Sequence, residues 1–179
     1  MTSVRQDNFS LWDMMTYDGL LFHAALDYVK REKPRVAFIG FGETDEWAHE
    51  ARYDSYLEAA YRGDDFIRRL WETTQAMPEY RGKTTFIITA DHGRGSGPSD
   101  WKHHGANIVG AEADWLAVIG PDTPPLGEGS NTPPIYETQI ASTIAALLGE
   151  VYKADVPKAG AAIGTLIERT GNNQPKPKE

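Results

Sequence analysis

The chain is predicted to fold as an α/β domain around a doubly wound, mostly parallel sheet. Three observations carry this. Amphipathic helical stretches alternate with short apolar runs rich in β-branched and aromatic residues, the rhythm of a parallel sheet with crossover helices. Two of those runs, Val36-Ala37-Phe38-Ile39-Gly40-Phe41 and Thr85-Phe86-Ile87-Ile88-Thr89-Ala90, empty into acid and histidine pairs, Asp45 with His49 and Asp91 with His92. Open α/β sheets gather their ligands outside the carboxyl ends of the strands. A length of 179 residues also suits one domain, since a chain of that size buries roughly 70% of its unfolded surface.

Each element follows in order. Residues 12–31 place Leu20, Leu21, Ala24, Ala25 and Tyr28 on one stripe at helical spacing, with Lys30 and Arg31 at the carboxyl end. Pro34 then breaks the helix, and 36–41 reads as a buried parallel strand. A long helix from Glu46 to about Ala76 comes next, with a kink expected near Gly63. Its inner face is Leu57, Ala60, Ile67, Leu70 and Trp71, and its wet face Arg62, Asp64, Asp65, Arg68 and Arg69. Pro78 to Lys83 is a loop, 84–90 a second strand, and Gly93 to Pro98 an irregular segment at the strand's end. Residues 114–120 form a third strand, and 121–134 a Pro- and Gly-rich excursion long enough for a lid or an interface. Tyr136 to Leu148 is a helix that Gly149 stops. Residues 1–170 are expected to form one domain, and 171–179, with no apolar content, a disordered tail.

Composition narrows the function. Lys and Arg number 18 against 26 Asp and Glu, a net charge of -8, which argues against a nucleic-acid or anionic-membrane partner because both need a basic footprint. No apolar run approaches the ~18 residues of a membrane span. There is no cysteine, so a metal would be held by Asp, Glu and His alone. The charge also requires a metal or a local Arg to receive an anionic substrate.

Three stretches carry metal-type ligands. In Asp45-Glu46-Trp47-Ala48-His49 the acid and the imidazole are four apart, so in a helix both project from one face; by itself that spacing is common on solvated helix faces. Asp91-His92-Gly93 is more specific: two polar residues end an apolar strand, and Gly93 permits a sharp turn or a close approach. His103-His104-Gly105 adds a loop histidine. Arg94, next to the second motif, is a candidate for substrate contact, set against the solvated role of most loop arginines. Trp47 and Trp101 flank the motifs, with packing as their ordinary role. Gly93 to Gly97 looks like a phosphate cradle but lacks the lysine and spacing of a nucleotide loop.

Asp-x-x-x-His, Asp-His-Gly and His-Gly in that order resemble the C-terminal part of the alkaline phosphatase superfamily, near its nucleotide pyrophosphatase and phosphodiesterase branch, with sulfatase-like relatives, over roughly residues 35–150. Tyr53 or Tyr56, Asp64 or Asp65, Ile67 and Leu70 fit the family's helix after the first histidine. The resemblance implies a three-layer fold with helices on both faces of the sheet and two divalent ions, zinc first, manganese or iron as alternatives. Asp45, His49 and His104 would hold one ion, and Asp91 and His92 the second, with His103 in reserve. Two ions about 4 Å apart activate the attacking oxygen and stabilise the leaving oxygen of an in-line displacement. The implied activity is hydrolysis of a small-molecule phosphate or sulfate ester. Phosphomutase or transferase chemistry on the same scaffold, or a non-catalytic metal-binding fragment, is the alternative.

The sequence departs from the family pattern before Asp45. No apolar strand there ends in an Asp, Asp13 and Asp18 lie in a helical pattern, and Ser3, Ser10 and Thr16 lack a strand-to-helix elbow. The catalytic Ser or Thr nucleophile is therefore unassigned, and the chain is expected to be the C-terminal part of a longer enzyme whose N-terminal half is missing. Members of the family it resembles are commonly exported to the periplasm or the cell exterior, while the sequence itself leaves cell location open. The exposed apolar sheet edge this implies would be covered by the missing segment or by a homo-oligomer.

Overall fold

A computed structural model describes residues 15–129, 133–152 and 159–167. The expected helix start at 12–14, the 171–179 tail, and Ser3, Ser10 and Asp13 lie outside the described residues. The chain forms two compact units: one takes in the described residues up to Arg81 together with His92–Asp114, the other Gly82–Asp91 and those from Trp115 onward.

The first unit is helical. Helix α1 runs Asp18–Glu32 and ends where Lys33 enters the left-handed region, its N–H bonded to the Val29 carbonyl at 3.2 Å. Its buried residues are Asp18, Phe22 and Val29, whereas Leu20 and Tyr28 of the expected stripe are exposed. Phe22 sets the rotation: it is fully buried and stacks on Phe66 at 4.4 Å between centroids, with the Arg69 guanidinium 4.4 Å over the Phe22 ring.

The expected strand at 36–41 is a correction. The segment is not paired in a sheet, and Phe38 is 96% exposed. An apolar run becomes a strand only when a neighbour takes its backbone N–H and C=O groups, and among the described residues none does. Phe41 is half-buried, with its ring 5.6 Å from that of Phe66.

The single helix expected over 46–76 is two. Helix α2 spans Glu43–His49 and α3 spans Tyr53–Ala76, running unbroken through Gly63. Between them Ala51 adopts φ 57°, and the Arg52 N–H closes the turn on the Trp47 carbonyl at 2.9 Å. The inner face of α3 is Ala59, Phe66, Leu70 and Thr74, at intervals of seven, four and four, while Leu57 and Ala60 face solvent. Within the stretch expected to be irregular, Gly97–Asp100 forms a one-turn helix, α4, with Pro98 in its first turn.

In the second unit, strands β1 (Phe86–Thr89) and β2 (Leu116–Ile119) fall where the sequence places them, with trimmed ends. Their pairing is antiparallel, Phe86 opposite Ile119 and Thr89 opposite Leu116, where a mostly parallel sheet was expected. A two-stranded ladder has no third strand to share its bonds, and antiparallel bonds are the straighter and slightly stronger set. A 3₁₀ turn at Glu137–Gln139 leads into α5, Ile140–Leu147, and Gly149 at φ 75° stops it as expected. Buried Thr143 ties α5 to the later chain, its hydroxyl donating to the Gln139 carbonyl at 2.8 Å and accepting from the Ile163 N–H at 3.0 Å. Residues 121–129, 133 and 134 hold no helix or strand. No helix among the described residues is long and apolar enough to cross a membrane.

Candidate metal centre

Helix α2 carries two of the expected ligands, and a pair of buried acids fixes it in place. The Asp18 carboxylate at the start of α1 accepts the Gly42 N–H at 2.8 Å and the Glu43 N–H at 3.2 Å, both at the start of α2. Glu43 answers by accepting the Asp18 N–H at 2.8 Å. Each helix N-terminus is thus capped by the first acid of the other, satisfying backbone donors that neither helix could satisfy alone. Both acids are 4% exposed. The second Glu43 oxygen pairs with Arg62 of α3 and accepts a 3.4 Å bond from the Trp47 indole. Burial pushes the Asp18 carboxyl above its usual range, against the pull of the two N–H donors; the Glu43 charge adds to the rise and Arg62 opposes it.

The other ligands come from the 92–105 segment, which two glycines fold tightly. A Cβ on Gly93 would stand 2.0 Å from the Ala113 carbonyl oxygen, and the Gly93 N–H bonds to the Ala111 carbonyl at 2.9 Å. The freedom expected of Gly93 thus serves a close approach of chain to chain. At Gly95 a Cβ would meet the Asp100 carbonyl oxygen at 2.6 Å, and its N–H bonds to the His103 carbonyl at 3.1 Å. These contacts bring His92, Arg94 and His104 toward α2.

Asp45, His92 and His104 offer ligand atoms that all lie within 4.8 Å of one another. One oxygen, Asp45 Oδ1, is 3.7 Å from His92 Nε2 and 3.6 Å from His104 Nε2. The two imidazoles stack at 3.7 Å between centroids, 13° from parallel. His92 Nδ1 lies 2.9 Å from the Gly93 carbonyl oxygen; it donates there, which leaves Nε2 as the acceptor that a metal needs. Burial holds the His104 imidazole below its ordinary range, with His92, His49 and Arg94 adding to the drop and Asp45 opposing it. Lowering favours the neutral form, the ligating form. Side chains a third exposed or less at Asp45, His92 and His104 leave the group reachable from solvent. The donor set of one carboxylate and two imidazoles fits a divalent ion of the zinc or manganese class.

The remaining expected residues fall as follows. His49 sits at the rim, its Nε2 3.0 Å from His104 Nε2 and 3.4 Å from Asp45 Oδ2. The trio therefore draws His92 to Asp45 and His104, whereas the resemblance pairs His92 with Asp91. Asp91 belongs to the second unit, is exposed, and is not in the trio. His103 is exposed, with its ring 6.4 Å from that of His49. Arg94 is 15% exposed and its Nη2 donates to Asp45 Oδ1, while its Nη1 is buried without a hydrogen-bond partner. Trp101 packs edge-on against Tyr53 and Tyr56 of α3 at 5.2 and 5.9 Å, and Trp47 bonds to Glu43, so both do structural work. Sequence reasoning missed the Asp18, Glu43 and Arg62 network. Its available signal was an acid at the first position of each helix, which the misplaced helix starts concealed.

No curated protein and no solved structure matches the chain. The type I phosphodiesterase / nucleotide pyrophosphatase family model matches residues 4–155, which extends the recognised region well beyond 35–150 on its N-terminal side. Members of that family are metal-dependent, in keeping with a carboxylate and two imidazoles converging on one point. The chain belongs to the type I phosphodiesterase and nucleotide pyrophosphatase family, within the alkaline phosphatase superfamily.

Proposed function

We propose that the chain supplies the metal-binding part of a hydrolase acting on a small-molecule phosphate ester, with Asp45, His92 and His104 as the primary ligands and His49 as a fourth, rim ligand. The observation that carries this is the convergence of two imidazole Nε2 atoms on one oxygen of Asp45, in a chain of a phosphodiesterase family. Asp45, His92 and His104 would hold a divalent ion whose charge would polarise a phosphoryl oxygen and offset the acidic charge of the chain. Zinc suits the donor set first, manganese or iron second. A three-layer, mostly parallel sheet completed by further strands belongs to the same reading, as does a nucleophile supplied from outside the residues named here. Sulfate esters and phosphomutase or transferase chemistry rank behind phosphodiester hydrolysis, because the family match names the diesterases.

Elemental analysis of the purified chain after exposure to zinc or manganese, beside Asp45→Ala, His92→Ala and His104→Ala, tests the site. One equivalent bound by the wild type and lost in the variants is expected. A folded wild type that takes up no metal, or variants that keep it, overturns the assignment. Hydrolysis of a bis-aryl phosphate against aryl phosphate and aryl sulfate then ranks the ester classes.

A further inference from the structure

We infer that Arg94 is a built-in counter-cation of the metal-free site, displaced when metal binds and thereby freed to hold an oxyanion; this rests on the metal reading above. The Arg94 Nη2 donates to Asp45 Oδ1. That oxygen is the one both His92 Nε2 and His104 Nε2 face at 3.7 and 3.6 Å. A divalent ion bound by the trio and the guanidinium therefore compete for a single carboxylate oxygen, and two cations on it repel. Without metal or Arg94, Asp45 would stand as a half-buried carboxylate, its side chain 34% exposed, with only imidazole rings beside it. Arg94 supplies the missing charge and keeps the ligands assembled.

The other end of the guanidinium points to what the released side chain would bind. Nη1 is buried and has no hydrogen-bond partner, and leaving such a donor unsatisfied is costly. A planar guanidinium satisfies its edge best with two oxygens of a phosphate or carboxylate. With Asp45 Oδ1 taken by metal, both Nη groups become available to the oxyanion of an ester seated on the ion. The same side chain would then stabilise the empty site and position the substrate of the filled one. The switch consists only of an exchange of ion partners: the metal takes the carboxylate and the guanidinium takes the oxyanion.

The test uses Mn2+ and inorganic phosphate as probes on the full chain. Calorimetric titration of Mn2+ into wild type and Arg94→Gln is expected to give binding about tenfold tighter in the variant, since removing a competing cation next to a ligand oxygen outweighs any loosening of the loop. Phosphate is expected to bind Mn2+-loaded wild type at least about tenfold tighter than loaded Arg94→Gln, as for other charge-assisted pairs, and to show no preference between the two metal-free proteins. Equal or weaker Mn2+ binding by a folded Arg94→Gln overturns the counter-cation role while leaving the metal site standing. No Mn2+ binding by either protein removes both readings. Should Arg94→Gln fail to fold, the guanidinium resonances of Arg94 in the wild type decide the matter. They must shift on adding Zn2+ and shift again on adding phosphate, and resonances unmoved by Zn2+ would sink the inference.

Discussion

Asp45 is the residue on which the site turns, because one of its oxygens meets both imidazoles and the Arg94 guanidinium. His104→Ala is expected to lower metal affinity at least about tenfold, as loss of a ligand from a small donor set does, read by competition with a chelating dye. At Asp18 the chemistry yields a prediction in pH. Its folded pKa is raised by burial, so above the unfolded value near 3.8 the folded chain holds a proton that the unfolded chain has lost. Stability contributed by that proton is present below this value and is lost as pH rises through the folded pKa. Asp18→Asn keeps an oxygen for the Gly42 and Glu43 N–H groups without the titration. The difference in melting temperature, variant minus wild type, should therefore move in the variant's favour as pH rises from 3.8, and a difference flat in pH would count against the raised carboxyl. The candidate residues were legible in the sequence because residue type and short spacing mark them, but their grouping was not: the sequence set His92 with Asp91, and the fold brings it to Asp45 and His104. Arg94's pairing with Asp45 was not legible, because the two stand 49 positions apart and meet only through the folding of the 92–105 segment.

Elements depend on what meets their ends. The reciprocal caps of α1 and α2 lock the helix that presents Asp45. Glu43→Ala removes the acceptor for the Asp18 N–H and the partner of half-exposed Arg62, so a loss of about 1–3 kcal/mol is expected from a buried donor left unpaired. Chemical denaturation measures it, and a parallel fall in metal affinity would show that α2 has loosened. Gly93→Ala is expected to cost at least about 1–3 kcal/mol, the range for forcing an atom into packed space, since its Cβ would stand 2.0 Å from a carbonyl oxygen. Helix α5 and both strands were legible, being strongly patterned and bounded by breakers such as Gly149. The break of the 46–76 helix was hidden because Glu50-Ala51-Arg52 contains no glycine or proline to announce it; Ala51 takes a left-handed conformation that its side chain disfavours. The 36–41 run misled for the opposite reason, since its composition is that of a strand and pairing is a property of neighbours. Phe38→Ser removes an exposed ring and is expected to change stability by less than about 0.5 kcal/mol, the scale of surface substitutions, while reducing concentration-dependent light scattering.

On the scale of the whole molecule, Asp45, His92, His104, His49 and Arg94 all belong to the first unit. Metal added at about a hundred times its dissociation constant should stabilise that unit by about 2.7 kcal/mol. Hydrogen exchange should show the protection in α2 and in 92–105, with β1 and β2 unchanged, and equal protection in the strands would contradict a site confined to one unit. Neither unit is continuous along the chain: the first is interrupted at Gly82–Asp91 and resumes at His92. During synthesis, then, α1, α2 and α3 leave the ribosome with the Asp45 carboxylate in place but with no His92, Arg94 or His104 to meet it. The group is complete along the chain only after the second unit's first strand has been made, so a chain synthesised as far as Ala76 holds α1, α2 and α3 without His92, Arg94 or His104.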